Sequence, residues 1–488
     1  MKTQQILDIF KEILKVPRES GHEEQIIAWL QNFAAEHKLE CKTDHAGNVL
    51  IVREASKGKE NAPTVVLQSH SDMVCEKNAG VVHDFRKDPI NAVEEDGWLI
   101  AKDTTLGADC GIGMAAQLAA LIDPDIQVGK IEALFTVSEE TGLDGAMALK
   151  EDFISGNILI NLDSEDEGEL FIGCAGGLDT TAKFKYTTYP ATKEYIKCEF
   201  KVFGALGGHS GDDIDKNRAN ANKILARFLY RALAKHDIEL YEIDGGNKRN
   251  AIAREAYAVI GFAKRDRKSI LKIFNTVIEE VKEEFKVSDP AVDGCVGEVG
   301  IHDVKENKYI GTPKKAIDKN TAASLIYALY CAPHGVLAMS NDVKGLVETS
   351  TNLASVKMQP GNIIRVGTSQ RSAIASCRKS AAEMVEACFE LAGAVVTHES
   401  EYPGWKPNVD SQILEISKAA YKKLFGVDPV VRAIHAGLEC GLFLDKFPKL
   451  DMISFGPTLR GVHAPGERLD LASLDKFTKL LSEIITNL

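Results

Sequence analysis

Apolar residues fall first at helical and then at strand spacing along the opening part of the chain. Ile6, Phe10, Ile13 and Leu14 recur every three or four positions before Pro17, which predicts an amphipathic helix that stops there. Ser20 to Glu23 has the form of a capping box ahead of a second helix through Ile26, Ile27 and Leu30. Short β-rich runs follow at Val49–Val52, Thr64–Leu67, Ile131–Thr136 and Ile158–Leu162, separated by Gly/Asp-rich turns and by an Ala-rich stretch, Gly113–Ile122, that reads as helix. Such alternation predicts an α/β sheet with helices on its faces.

The texture changes around Gly173–Gly177. Lys183–Tyr189 is rich in Lys, Tyr and Thr, and strand and helix patterns continue without catalytic punctuation to about Gly393. From Trp405 the earlier alternation resumes, with a helix around Ile413–Leu424, a strand around Met452–Phe455 and a closing amphipathic helix over Leu471–Ile485. The predicted arrangement is a mixed-sheet α/β domain in two parts, residues 1–178 and 397–488, interrupted by an inserted α+β domain at 179–396. A chain of 488 residues supports this, being well past the size at which one core stops growing.

Composition narrows the function classes. No segment approaches the roughly 20 apolar residues of a membrane span. The net charge of −13 and pI near 5.5 repel phosphate backbones, and no basic run with interleaved aromatics reverses that locally, so neither membrane nor nucleic acid is an expected partner. The ten cysteines contain no Cys-x-x-Cys pair, and Met1–Phe10 lacks the layout of a secretory signal; reduced thiols in the cytoplasm are the expectation.

Chemistry-bearing residues cluster at predicted strand ends. Thr64–Leu67 runs into Gln68-Ser-His-Ser-Asp72, where residues two apart share a face, so Asp72 can orient His70 as a metal ligand. Asp109 lies in the glycine-rich turn Thr105–Gly113, as a bridging ligand or as a helix cap. The strand Ile131–Thr136 leads to Glu139 and Glu140, adjacent acids expected to point in opposite directions, one toward metal and the other toward substrate. Asp163 ends the strand at Ile158–Leu162, and His463 sits in the turn Gly461–Glu467. In open α/β sheets sites form beyond the carboxyl ends of the strands, so the common placement is what one shared site requires.

Two histidines and three carboxylates, one of them shared, suit two divalent ions with a bridging water. Ions about 3.5–4 Å apart would lower the pKa of that water so that hydroxide attacks a polarised amide carbonyl. Glu139, beside a ligand, is then the expected general base.

His70-x-Asp72, the Asp109 turn, Glu139-Glu140, Asp163 and His463 resemble, in order and rough spacing, the dinuclear zinc peptidase and amidohydrolase superfamily typified by aminoacylase and carboxypeptidase G. More closely, Leu67-Gln-Ser-His-Ser-Asp-Met-Val74, Ala205-Leu-Gly-Gly-His-Ser-Gly211 and His435-Ala-Gly-Leu-Glu-Cys-Gly441 look like the bacterial aminoacyl-histidine dipeptidases, also called Xaa-His dipeptidases or carnosinases. The resemblance implies that the insertion is a lid. It implies His209 as the donor that stabilises the oxyanion, Asn250 and Arg371 as holders of the peptide's carboxylate end, and Gly437 and Glu439 as shaping the pocket for the free amino end. It implies short peptides, mainly dipeptides including β-alanyl-histidine, as substrates, and either a homodimer through the lid or a long lid that completes the site within one chain. Asp rather than Glu at position 163 matches the aminopeptidase and dipeptidase branch. The ligands suit zinc, and cobalt or manganese would fit the same set.

Three other readings stand beside this one. An N-acyl amino acid deacylase or desuccinylase would keep the fold and change the substrate. A non-catalytic relative would only bind peptides, yet has no need of Glu139 beside a full ligand set. A structural calcium site is opposed by the two histidines, since calcium prefers oxygen.

Overall fold

The computed structural model describes residues 1–299 and 313–488, with the backbone of 302–303 and 308–309. Its chain forms two compact units. The first comprises Met1–Cys174, Trp405–Ala433 and Leu438–Leu488; the second comprises Ala175–Gly404 and a short return, Ile434–Gly437.

A mixed eight-stranded sheet organises the first unit. Its strands are β1 (Glu40–Thr43), β2 (Val49–Arg53), β3 (Val65–His70), β4 (Ile131–Thr136), β5 (Ile158–Asn161), β6 (Glu169–Cys174), β7 (Val430–Ile434) and β8 (Asp451–Ser454), in the spatial order β1-β2-β4-β3-β5-β8-β6-β7. β3 runs parallel to β4 and β5, and β8 parallel to β5, so the carboxyl ends of four adjacent strands share one edge. All six residues of β3 and of β4 are buried, polar ones included, as central strands covered on both faces require.

The helix Ala108–Ile122 is buried on nearly every face because Gly and Ala let backbones approach. A Cβ at Gly113 would lie 2.8 Å from the Leu162 carbonyl and 3.1 Å from Ser69 Cβ, so glycine there lets the helix sit against the strand ends. The N-terminal helix Thr3–Ile13 packs on it through Ile6, Leu7, Phe10 and Ile13.

Ser20 and Glu23 do not form a capping box. The helix Glu24–Glu36 has no side-chain cap. Ser20 instead donates to Asp72 Oδ2 at 2.7 Å, and Glu23 Oε1 accepts from Ser138 N at 3.0 Å and Ser138 Oγ at 2.9 Å. Stronger partners far along the chain displace the local cap.

The second unit is an antiparallel sheet of nine strands flanked by the helices Ala221–Leu233, Arg267–Glu284, Lys319–Cys331 and Ala375–Leu391. Alternate inward positions supply its core, in which Phe200 meets Phe228 and Phe274 with ring centroids 4.5 and 5.1 Å apart. Sequence texture predicts changes of domain at 178/179 and 396/397; the chain passes between units at 174/175 and 404/405, and again on either side of Ile434–Gly437. Among the described residues no helix is long and apolar enough to cross a membrane.

Candidate metal centre

β3 ends at His70, and its imidazole faces three carboxylates. Nε2 lies 3.0 Å from Asp109 Oδ1 and 3.3 Å from Asp163 Oδ1, while Nδ1 lies 3.4 Å from Asp72 Oδ1 and 3.1 Å from the Asp72 carbonyl. Asp72 therefore takes one ring nitrogen and leaves the other to the cluster. His463, at φ 61° in its Gly/Pro turn, brings Nε2 to 3.1 Å from Asp109 Oδ2 and 2.9 Å from Glu140 Oε1. Asp109 thus presents one oxygen to each histidine.

Glu139 and Glu140 do not extend from a strand. β4 stops at Thr136, Ser138 turns the chain at φ 51°, and both acids enter a one-turn helix, Glu139–Gly142. Asp72 holds that turn, accepting from Glu139 N at 3.1 Å and Glu140 N at 3.2 Å. The turn, not strand alternation, separates the two side chains.

Electrostatics reflect charges packed together and largely out of water. Burial works against charge on Asp72, yet hydrogen bonding and charge from His70 hold its carboxyl down at about 2. Burial, with Asp109 beside it, pushes Asp163 up to about 6, and burial raises Glu139 well above the usual carboxylate range. Hydrogen bonds to Asp109 and Glu140 raise His463 to about 11.

The donor set fits divalent ions. Ligand atoms of His70, Asp109, Cys110 and Asp163 lie within 4.8 Å of one another, as do those of Asp109, Glu140 and His463. Asp163 Oδ1 is buried and, although 3.3 Å from His70 Nε2, makes no hydrogen bond, an arrangement that a cation would relieve. Cys110 is the poorest donor: its thiol, raised by burial and by Asp163, points to the Leu162 carbonyl at 3.1 Å.

Two supporting residues are not among those that the sequence pattern singles out. Glu467 is buried and receives four consecutive backbone amides, Leu106 at 2.7 Å, Gly107 at 2.9 Å, Ala108 at 2.8 Å and Asp109 at 3.4 Å. It fills the cap position that Asp109 could have taken. Its signal was an acid four places after His463 in the same turn. Buried Arg18 donates to the carbonyls of Asp72, at 2.8 Å, and Gly107, bracing the loops that carry His70 and Asp109; nothing in its local sequence marks it.

Within the second unit, His209, Asn250, Arg371 and Gly437 are drawn together. Ser210 N donates to the Asn250 carbonyl at 2.8 Å, and buried Asn352 brackets Asn250 by donating to the carbonyls of Arg249 and Ala251 at 3.1 and 2.9 Å. Arg371 donates to Ser210 Oγ at 3.4 Å and Tyr402 Oη at 2.9 Å, and a Cβ at Gly437 would stand 3.0 Å from the Tyr402 ring. His209 Nδ1 engages the Gly211 and Asp212 amides at 3.3 Å and the Asp212 carboxylate at 3.2 Å. Glu439, in the first unit, is fully buried and accepts from Gln68 Nε2 at 2.6 Å and Thr136 Oγ1 at 2.9 Å.

Strand ends that gather two histidines around one shared carboxylate, with an acid held close by, define a metallohydrolase of the dinuclear type. The chain belongs to the peptidase family M20/M25/M40, whose model matches residues 66–487. It is 39% identical to the cytosol non-specific dipeptidase of Escherichia coli over 488 residues, covering 99% of this chain and 98% of that protein. The crystal structure of aminoacylhistidine dipeptidase from Vibrio alginolyticus superposes with a TM-score of 0.88 at 37% identity, covering 99% of this chain and 96% of the other. Aminopeptidase PepT from Bacillus cereus shares the fold at 16% identity, with a TM-score of 0.56 and 100% and 98% of the chains covered.

Proposed function

We propose that this protein is a cytoplasmic dinuclear metallo-dipeptidase that cleaves dipeptides with a free amino end, Xaa-His and β-alanyl-histidine among them. The observation that carries the reading is Asp109, with Oδ1 at 3.0 Å from His70 and Oδ2 at 3.1 Å from His463. One carboxylate reaching toward two histidines suits two ions better than one. Family membership and the dipeptidases of E. coli and V. alginolyticus support the substrate class.

His70, Asp163 and Asp109 would hold one ion; His463, Glu140 and Asp109 would hold the other, with zinc first and cobalt or manganese able to replace it. Bound there, the ions would supply a polarised scissile carbonyl and a water acidified enough to react near neutral pH. Glu139 accepts the proton of the attacking water and delivers it to the leaving amine, from a position fixed by the Asp72 contact to its backbone. Asp72 keeps His70 in one orientation. In the second unit His209, with Nδ1 already engaged, offers Nε2 as a donor to the carbonyl oxygen as charge develops on it. Arg371 and Asn250 take the peptide's carboxylate end, and Gly437 leaves room beside Tyr402. The exposed apolar residues Val336, Leu337 and Met339 of the second unit support a homodimer through it.

Hydrolysis of alanyl-histidine and β-alanyl-histidine tests the reading, measured before and after chelation and after adding back zinc, cobalt or manganese, with bound metal quantified. Chelation-sensitive cleavage with about two ions per chain is expected. Two ions without cleavage, together with cleavage of N-acyl amino acids, would replace the dipeptidase with a deacylase.

A further inference from the structure

Beneath the ligands runs a buried polar network. Glu439 Oε2 accepts from Gln68 Nε2 at 2.6 Å and from Thr136 Oγ1 at 2.9 Å, which joins β3 to β4. Gln68 Oε1 accepts from Asn161 Nδ2 at 2.6 Å, which joins β3 to β5, and Asn161 Oδ1 accepts from Ser454 Oγ on β8 at 2.5 Å and from Asp163 N at 3.3 Å. Gln68, Thr136, Asn161, Glu439 and Ser454 are each fully buried.

Of the four strands tied in this way, β3, β4 and β5 each carry a proposed ligand just beyond the tie. Gln68 precedes His70 by two positions, Asn161 precedes Asp163 by two, and Thr136 stands immediately before the turn to Glu139 and Glu140. Apolar side chains would fill these positions at less cost, because a buried carboxyl loses several kcal/mol of hydration unless partners replace it. Glu439 replaces that hydration only in part: Oε1 is buried without a partner, while burial and the nearby Asp163 carboxylate push the group up to about 8. A connected network of buried hydrogen bonds fixes side-chain geometry more tightly than apolar packing does.

We propose that Glu439 is a positioning residue for the metal centre, which through Gln68, Thr136 and Asn161 holds the strand ends bearing His70, Asp163 and the Glu139–Glu140 turn at the spacing that two ions need. The inference rests on the dinuclear reading above and departs from the role that resemblance implied for Glu439, since a fully buried carboxyl bonded to two strands acts on the ligands and not on the peptide's amine.

The test uses the full chain loaded with Co(II). Wild type, E439A, E439Q and T136V are compared for Co(II) affinity by chelator competition, for the visible absorption of bound Co(II), and for kcat and KM with alanyl-histidine. E439A should bind Co(II) about 10–100-fold more weakly with a changed spectrum and KM within about twofold, as losses behind metal ligands do. E439Q keeps an oxygen acceptor and should recover most of the affinity, and T136V, which removes one donor at constant shape, should fall between. T136V carries the test if E439A does not fold. Wild-type affinity and spectrum in both E439A and T136V, or a defect confined to KM that glutamine does not rescue, would overturn the proposal in favour of direct contact with substrate. Failure of wild type to bind two Co(II) per chain would instead overturn the dinuclear reading and this inference with it.

Discussion

Glu467 holds the backbone of Asp109 from 358 positions further along the chain, its Oε1 accepting from the Asp109 amide at 3.4 Å and the Ala108 amide at 2.8 Å. The same carboxylate takes the two preceding amides, so the loop that aims Asp109 is set by a residue four places after His463. E467A should weaken binding of both ions by about 10–100-fold while E467Q, with one acceptor oxygen, loses less. Metal titration of the apo variants measures this, and equal affinity in E467A and wild type would show that the loop holds itself.

Glu139 is adjacent to Glu140, the proposed ligand, and its amide is already held by Asp72. E139A should retain both ions and lose about 10²–10⁴-fold in kcat, the contribution typical of a positioned base. Loss of metal in E139A would make Glu139 a ligand instead.

Arg371 donates to Ser210 and Tyr402 and is 6% exposed, so its charge is well desolvated. R371A should raise KM for alanyl-histidine by about 10–100-fold, since a hydrogen bond to a charged group contributes about 1.5–3 kcal/mol. Unchanged KM and kcat would remove Arg371 from substrate binding.

Removing metal leaves Asp109, Asp163, Glu139 and Glu140 facing one another with two histidines as their counter-charges. A ligand that binds the folded chain at 100 times its Kd adds about 2.7 kcal/mol of stability. Thermal unfolding with and without chelator should therefore show a lower midpoint for the apo protein; coincident curves would mean that the cluster needs no cation.

His435, hydrogen-bonded to Ser350 Oγ at 2.7 Å, is pushed down to about 3 by burial and by Arg371. An unfolded chain takes up this proton as pH falls through about 6.5, while the folded chain refuses it until about 3, so the folded state loses stability across that window and no more below it. His334, pushed down to about 4 by burial, acts in the same direction. H435Q should lose less stability than wild type between pH 6.5 and pH 4, read from unfolding midpoints. Parallel profiles would show that His435 does not titrate on unfolding.

Much of this was legible in the sequence because it is local. The apolar runs of β3, β4 and β5 announce buried strands, and His70 at the end of β3, with Asp109, Glu139, Glu140, Asp163 and His463 in turns, stand where period and position along the chain suffice to nominate them. The residues that sequence alone misread are those whose partners lie far away. Ser20 and Glu23 satisfy a local capping pattern, but Asp72 and Ser138 compete for them and win. Asp109 satisfies a helix-cap pattern, but Glu467 occupies that place and frees its two oxygens for two histidines. Gln68, Thr136 and Asn161 look like incidental polar residues in apolar strands until β3, β4 and β5 lie side by side and Glu439 closes on them. Spacing along the chain by itself determined the candidate residues; which oxygen faces which nitrogen was decided only by the tertiary fold, because hydrogen bonds between distant segments exist only once the sheet brings those segments together.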